Sequence, residues 1–308
     1  MTNESVNHAK SATVKIETKR KSARKAKGLC EKAIYAAFFL TGLTSALCVV
    51  LITVYLIASG TPAIREIGLT SFLFGKEWSP SSGEYGILPF ILTSIYGTAG
   101  AVAIGVPVGF MCSLYLSKVA PHKIRTVIEG AVGLLSGIPS VVFGLIGMSV
   151  LVPAIRSFFG IPDGSGLFAA IIVLAVMILP SVIKVSLNAL DAVPKEYEDA
   201  SLALGATPIE TYLRVSVPAA RSGITASAVL GVGRAIGEAT AVMMVSGNAA
   251  NMPSIFQSVR FLTTAIASEM SYATGLGRQA LFSIALTLFI FIMIINATLN
   301  FFLGRSKK

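Results

Sequence analysis

Uncharged stretches rich in apolar residues, separated by short charged segments, dominate this chain. A helix needs roughly 20 apolar residues to cross a bilayer core about 30 Å thick, and six stretches approach or meet that requirement. Residues 33–64, 85–117, 130–155, 164–183 and 279–304 carry no charge, although 164–183 is short and lies between Asp163 and Lys184. The remaining stretch, about 223–245, is interrupted by Arg234 and Glu238. The pattern predicts an all-α polytopic membrane protein. Its six transmembrane helices are expected at about 34–58, 87–116, 130–155, 164–184, 223–245 and 279–303, within a transmembrane domain over 33–308.

Composition agrees with that reading. Only 13% of residues are charged and the mean hydropathy is +0.77, whereas soluble domains carry about 25% charged residues. The formal charge of +10, from 25 Lys and Arg against 15 Asp and Glu, would suggest a nucleic-acid partner in a soluble protein. Its placement points instead to membrane sidedness, because cytoplasmic segments collect Lys and Arg. With six crossings and an internal N-terminus, 19 of the 25 basic residues fall inside, in 1–32, 117–127, 184–221 and 305–308. Five fall outside: Arg65, Lys76, Arg156, Arg260 and Arg278. Both termini are therefore expected in the cytoplasm, with no nucleic acid as partner and some attraction to anionic membrane lipid.

The polar, basic residues 1–32 predict a disordered cytoplasmic tail. The apolar run after it is too long for the 7–15-residue core of a signal peptide and reads as an uncleaved anchor. Residues 59–86 form an external loop in which Trp78 is expected to anchor at the membrane interface. Cys30, Cys48 and Cys112 form no CxxC pair, and His8 and His122 lie in polar segments, so neither a disulfide framework nor a metal site is indicated. The chain has no GxxxxGK[ST] loop, no HExxH and no GxSxG, and Asp163, Asp191 and Asp199 all lie in loops or at span ends. No catalytic residue and no cofactor of its own are expected.

The longest internal cytoplasmic segment contains a short predicted helix over 196–204. Its acidic start suits the helix dipole, and Gly205 suits a left-handed C-cap. Pro208 starts a second turn, and Pro218 marks the approach to the fifth span. An exposed helical unit on a membrane protein suggests either docking of another protein or packing on its own spans. The sequence Asp199-Ala200-Ser201, three residues, Gly205, nine residues, Val215-Ser216-Val217-Pro218 resembles the EAA loop (EAA-x3-G-x9-I-x-LP) of ABC-importer permeases. The spacing matches throughout, with four conservative replacements.

Further runs resemble the PstC-type permeases of phosphate-specific ABC importers. They are Tyr85-Gly86-Ile87-Leu88-Pro89-Phe90, the run 137–144, Gly233-Arg234-Ala235-Ile236-Gly237-Glu238-Ala239 with 242–248, and the run 266–273. The resemblance implies a type I (MetI-like) importer permease in a bacterial cytoplasmic (inner) membrane. It implies a PstA-like permease as heterodimer partner, a PstB-like ATPase dimer that binds ATP and Mg, and a PstS-like phosphate-binding protein. The loop 190–220 would then couple to the ATPase through Asp199, Ala200, Ser201, Gly205 and Pro218. Alternatives are a PstA-type chain, a permease for sulfate or molybdate, or an ion-coupled transporter that needs no ATPase.

Burying an arginine at mid-membrane costs about 3 kcal/mol, so Arg234 and Glu238 need a reason. Arg234 lies eleven residues beyond Gly223, about 16 Å along a helix, near the middle of the membrane core. The two residues are four apart and predict one helix face. They form either a structural salt bridge or, as the resemblance implies, part of the substrate path. There Arg234 would offer a planar fork to phosphate oxygens, and Glu238 would restrain it and could favour a protonated oxyanion. Pro139 and Ser140 are expected to kink or break the third span at the pathway wall. The small residues of the fifth span permit close helix approach.

Overall fold

The computed structural model describes the backbone of residues 3–305 and the side chains of residues 31–32 and 34–298. The basic residues 307 and 308, and the side chains of His8 and Cys30, lie outside that range. Two compact units divide the chain, residues 1–55 and 56–308. The first holds most of α1 (Asn3–Ile67), whose large apolar side chains between Ile34 and Tyr55 are exposed, as suits a helix bathed in lipid. Where the sequence predicts a disordered tail over 1–32, the backbone is helical from Asn3 onward. That stretch has no proline, no glycine before Gly28 and many Ala and Lys residues, which favour helix.

In the second unit, α2 (Leu69–Phe74) and a hairpin of β1 (Trp78–Ser79) with antiparallel β2 (Glu84–Tyr85) precede α3 (Leu88–Lys118). Then follow α4 (His122–Gly137), α5 (Ser140–Ile146), a π-helical turn Gly147–Leu151, and α6 (Val152–Phe159). The central helix α7 (Leu167–Asp191) leads into α8 (Lys195–Ala203), α9 (Pro208–Thr211), a second π-helical turn Tyr212–Ser216, and α10 (Val217–Ala219). The chain returns through α11 (Arg221–Gly237) and α12 (Thr240–Val245), and ends in α13 (Leu262–Glu269) and α14 (Gly275–Arg305).

Among the described residues, five helices are long and apolar enough to cross a membrane: Ile34–Ile67, Leu88–Lys118, Ser140–Phe159, Leu167–Asp191 and Gly275–Thr298. A sixth crossing arises only if Pro208–Ala219 and Arg221–Gly237, bent by 71°, count together. The core gathers around α7, with Leu174, Met177, Ile178 and Val182 almost wholly buried between α3 and α11. Gly100, Gly105 and Gly109 of α3 lie against Ile171, Ile178 and Val182 in the same order, so α3 and α7 run parallel. Gly231 lies against Val182 and Gly223 against Ala189, so α11 runs antiparallel to α7. These directions agree with alternate crossings, and they put the ends of α3 and α7 and the start of α11 on one side with the loop 192–220.

Three expected features differ. The third span begins at Ser140 rather than 130, because Ile138 (ψ 128°) and Pro139 (ψ 143°) are extended. A residue before proline avoids the helical region, so Pro139 separates α4 from α5 instead of kinking one helix. The expected fifth span is broken, with α11 ending at Gly237 and Glu238 extended at ψ 123°. Trp78 is no interfacial anchor: it is 8% exposed and packs on Tyr85 and Phe90 with ring centroids 5.7 and 5.6 Å apart.

Candidate functional site

The break after Gly237 decides what the charged pair can do. Arg234 lies in the last turn of α11, where the helix dipole favours a cation. Glu238 precedes α12, and its Oε1 accepts a hydrogen bond from the Ala241 backbone N–H at 3.0 Å, where the opposite dipole end favours an anion. Each charge therefore sits at a helix end of complementary sign. Among the described residues there is no ion pair between them, so the expectation of one shared face and a restraining carboxylate fails. The cause is the change of backbone direction at Glu238, whose own carbonyl accepts from Thr263 Oγ1 on α13 at 3.0 Å.

The described partner of Arg234 is instead Ser181 on α7, whose Oγ accepts from Nη1 at 2.9 Å. Guanidinium carries five N–H donors, so one hydroxyl leaves most of them available. Ser181 lies ten residues before Asp191, about 15 Å along α7 from its loop-side end, so Arg234 is held near mid-depth on the seam between α7 and α11. The same seam carries a buried hydrogen bond between Ser186 and Ser227 at 2.7 Å. Pro139 and Ser140 stand at the α4–α5 break, and Ser140 makes no side-chain hydrogen bond to a described residue.

The predicted loop forms as two short helical units. Asp199 and Ala200 are exposed on α8, and Ser201 turns inward so that its Oγ pairs with Thr211 Oγ1 at 2.9 Å. Gly205 adopts φ 88°, a conformation that only glycine takes without strain, and this turns the chain from α8 into α9. Thr207 and Glu210 complete a capping box at the start of α9. The hydrogen bonds from the Thr207 backbone and hydroxyl hold the Glu210 carboxyl below its ordinary range. Pro218 is exposed in α10. Tyr197, Leu202, Leu204, Ile209 and Leu213 are exposed, Leu204 at 90%, so the loop presents an apolar face instead of packing it on its own spans.

Two polar groupings escape sequence reading. At the α3 start, Glu269 pairs with Arg260 and accepts from Trp78 Nε1 at 3.1 Å. Arg260 also donates from Nε to the Asn248 carbonyl at 2.8 Å and stands 5.8 Å over the Phe90 ring. This cluster joins three of the separate runs singled out in the sequence. At the α3 end, Lys118 pairs with Glu198 at 2.5 Å, and Arg125 pairs with Asp191 at 2.5 Å and Glu129 at 2.6 Å. The only sequence signal for Lys118 is its position as the first charge after a long uncharged run. For Glu198 it is the i, i+3 spacing to Ser201.

Comparison with known proteins places this arrangement. Residues 105–307 match the family described as "Binding-protein-dependent transport system inner membrane component". The chain is 38% identical over 258 residues to a protein of Bacillus subtilis named "Probable ABC transporter permease protein YqgH", covering 80% of this chain and 84% of that one. It is 34% identical over 261 residues to the "Phosphate transport system permease protein PstC" of Haemophilus influenzae, covering 78% and 82%. Among solved structures, its fold is similar to a chain of the inward-facing MetNI methionine ABC transporter, with TM-score 0.57, 20% identity, and 72% and 98% of the two chains covered. It is also similar to a chain of a bacterial alginate ABC transporter, with TM-score 0.59, 14% identity and coverage of 88% and 93%. The family match over about 66% of the sequence, on a fold of membrane-crossing helices around an exposed helical loop, makes this chain a member of the binding-protein-dependent transport system inner membrane components.

Proposed function

We propose that this chain is one of two permease subunits that carry inorganic phosphate inward across the cytoplasmic membrane. The observation that carries the reading is Arg234, held at mid-depth by Ser181 with no described carboxylate within ion-pair distance. A cation at mid-membrane is expensive, and a half-buried guanidinium with most of its donors available suits a tetrahedral oxyanion. The relatives named as phosphate transport permeases support the choice of anion. Glu238 shapes the break beside it and lines the same stretch of path, and Pro139 and Ser140 belong to the wall.

In this reading a PstA-like permease completes the path, and a PstS-like protein delivers phosphate from outside. A PstB-like ATPase dimer binds ATP and Mg and docks on the 190–220 loop, so this chain needs no cofactor of its own. The exposed apolar face from Tyr197 to Leu213 supports that docking, with Asp199, Ala200, Ser201, Gly205 and Pro218 setting the loop's shape. Closure of the ATPase dimer draws on the loop and opens the path outward, and hydrolysis resets it inward. The Lys and Arg distribution supports both termini in the cytoplasm.

The test is uptake of labelled phosphate into vesicles containing this chain and its co-encoded partners. Uptake is expected to require ATP inside and the binding protein outside, and to resist competition by sulfate and molybdate. Uptake of sulfate or molybdate in preference to phosphate, or uptake without the ATPase, would overturn the reading.

A further inference from the structure

The helix that faces the ATPase in the reading above is held to the rest of the chain almost without apolar anchoring. No residue of α8 is buried, and the two side chains that turn inward, Glu198 and Ser201, are three residues apart on one face. Ser201 bonds to Thr211, within the loop itself. Glu198 reaches out of it: Oε1 is 2.5 Å from Lys118 Nζ and accepts from Ser216 Oγ at 2.8 Å. Lys118 is the last residue of α3, and its ammonium also donates to the Leu190 carbonyl at 3.3 Å, on the final turn of α7. The two side chains are 9% and 17% exposed, so salt screens the pair weakly.

α7 enters the loop directly through residues 192–194, and α10 leads directly into α11, so displacement of α8 acts on both through the backbone. α3 has no such connection to the loop. The neighbouring pairs of Arg125 with Asp191 and Glu129, with Ser117 Oγ donating to Asp191 at 2.6 Å, join α3, α4 and α7 but do not touch α8. A lysine at this corner brings a compact charge with three donors on a flexible stem, enough to hold a carboxylate and a helix-end carbonyl together.

We propose that the Lys118–Glu198 pair is the link through which movement of α8 is transmitted to α3, making Lys118 a positioning residue for transport. This rests on the proposed role of the 190–220 loop as the ATPase contact. It adds a second route into the membrane, through a helix that the loop does not continue into.

The test uses the full complex in vesicles, with phosphate and ATP as probes, and compares wild type with Lys118→Met, Glu198→Gln, Lys118→Arg and the charge reversal Lys118→Glu/Glu198→Lys. The readouts are phosphate imported per ATP hydrolysed, and amide exchange across residues 195–203. Losing one partner of a charged hydrogen bond is expected to lower both the ratio and the protection of α8 about tenfold. Lys118→Arg keeps both, and the reversal restores the ratio well above either single variant. A Lys118→Met complex that assembles and keeps both the wild-type ratio and the wild-type protection overturns the link. So does a Lys118→Arg complex as impaired as Lys118→Met. Wild-type vesicles that import no phosphate would count against the substrate reading alone, because the exchange measurement still decides whether the pair holds α8.

Discussion

Gly105 is where the α3–α7 seam is least tolerant of added volume. A Cβ built there would stand 2.7 Å from both Cγ1 and Cδ1 of Ile178 and 3.0 Å from the Ala175 carbonyl oxygen. Ile178 is fully buried and the carbonyl belongs to a helix backbone, so neither can withdraw without moving α7. Replacing a helical glycine by alanine elsewhere gains about 0.5–1 kcal/mol, and overpacking a core costs about 1–3 kcal/mol. Valine adds two more carbons to a site that already rejects one, and Gly105→Val is expected to destabilise by about 3 kcal/mol. For a chain of this size about 2–4 °C accompanies each kcal/mol, so the melting midpoint falls by roughly 6–12 °C. Gly130→Ala is the control, because a Cβ on Gly130 in α4 meets nothing within 4 Å, and its midpoint is expected to hold or rise by a few degrees. The protein's one tryptophan, Trp78, packs at the start of α3 and reports melting of the purified chain by its fluorescence. A Gly105→Val protein that melts within about 2 °C of wild type would refute the packing argument, as would a Gly130→Ala protein destabilised equally.

Two further outcomes follow from the charge arrangement. Glu269→Gln leaves Arg260, 17% exposed in its side chain, without its carboxylate, and an uncompensated partly buried charge costs about 3 kcal/mol. The thermal midpoint is expected to drop and the Trp78 emission to shift, and an unchanged midpoint would show the cluster to be ornamental. For Glu198, burial works to raise the carboxyl, but hydrogen bonds from Lys118 and Ser216 and the nearby Lys118 and Lys195 charges outweigh it and hold it below its ordinary value. A depressed folded value stabilises above the unfolded value of about 4.3 and loses that contribution as pH falls through the folded one. The stability gap between wild type and Glu198→Gln is therefore expected to stay constant from pH 7 to about 5 and to close below about pH 4. A gap that collapses between pH 7 and 6 contradicts the assignment.

Much of the architecture is legible from charge spacing alone, because a bilayer enforces the length of each uncharged run. The α7 and α14 runs are cases in point. The loop unit is legible for a different reason: Gly205 and Pro208 impose backbone geometry that no packing needs to supply. The breaks are less so. Ile138 and Pro139 announce an interruption, but whether it bends one helix or separates two depends on how α4 and α5 pack. Glu238 sits in a sequence that reads as unbroken helix, and the dipole-matched placement of Arg234 and Glu238 emerges only once α12 turns away and Thr263 takes the Glu238 carbonyl. Lys118–Glu198 and Trp78–Glu269 join residues distant in sequence, and no local pattern encodes them.

In the proposed function, Arg234 by itself, and not an Arg234–Glu238 ion pair, supplies the charge that phosphate meets at mid-membrane. The most direct test of that role is ATP-driven uptake of labelled phosphate by the reconstituted complex carrying Arg234→Gln, beside Glu238→Gln and wild type. Arg234→Gln is expected to abolish uptake while the complex still hydrolyses ATP, and Glu238→Gln, which keeps a side-chain oxygen for the Ala241 N–H, to retain a substantial share. Wild-type uptake by Arg234→Gln, or equal loss in both variants with uptake recovered when the two charges are exchanged, would contradict it.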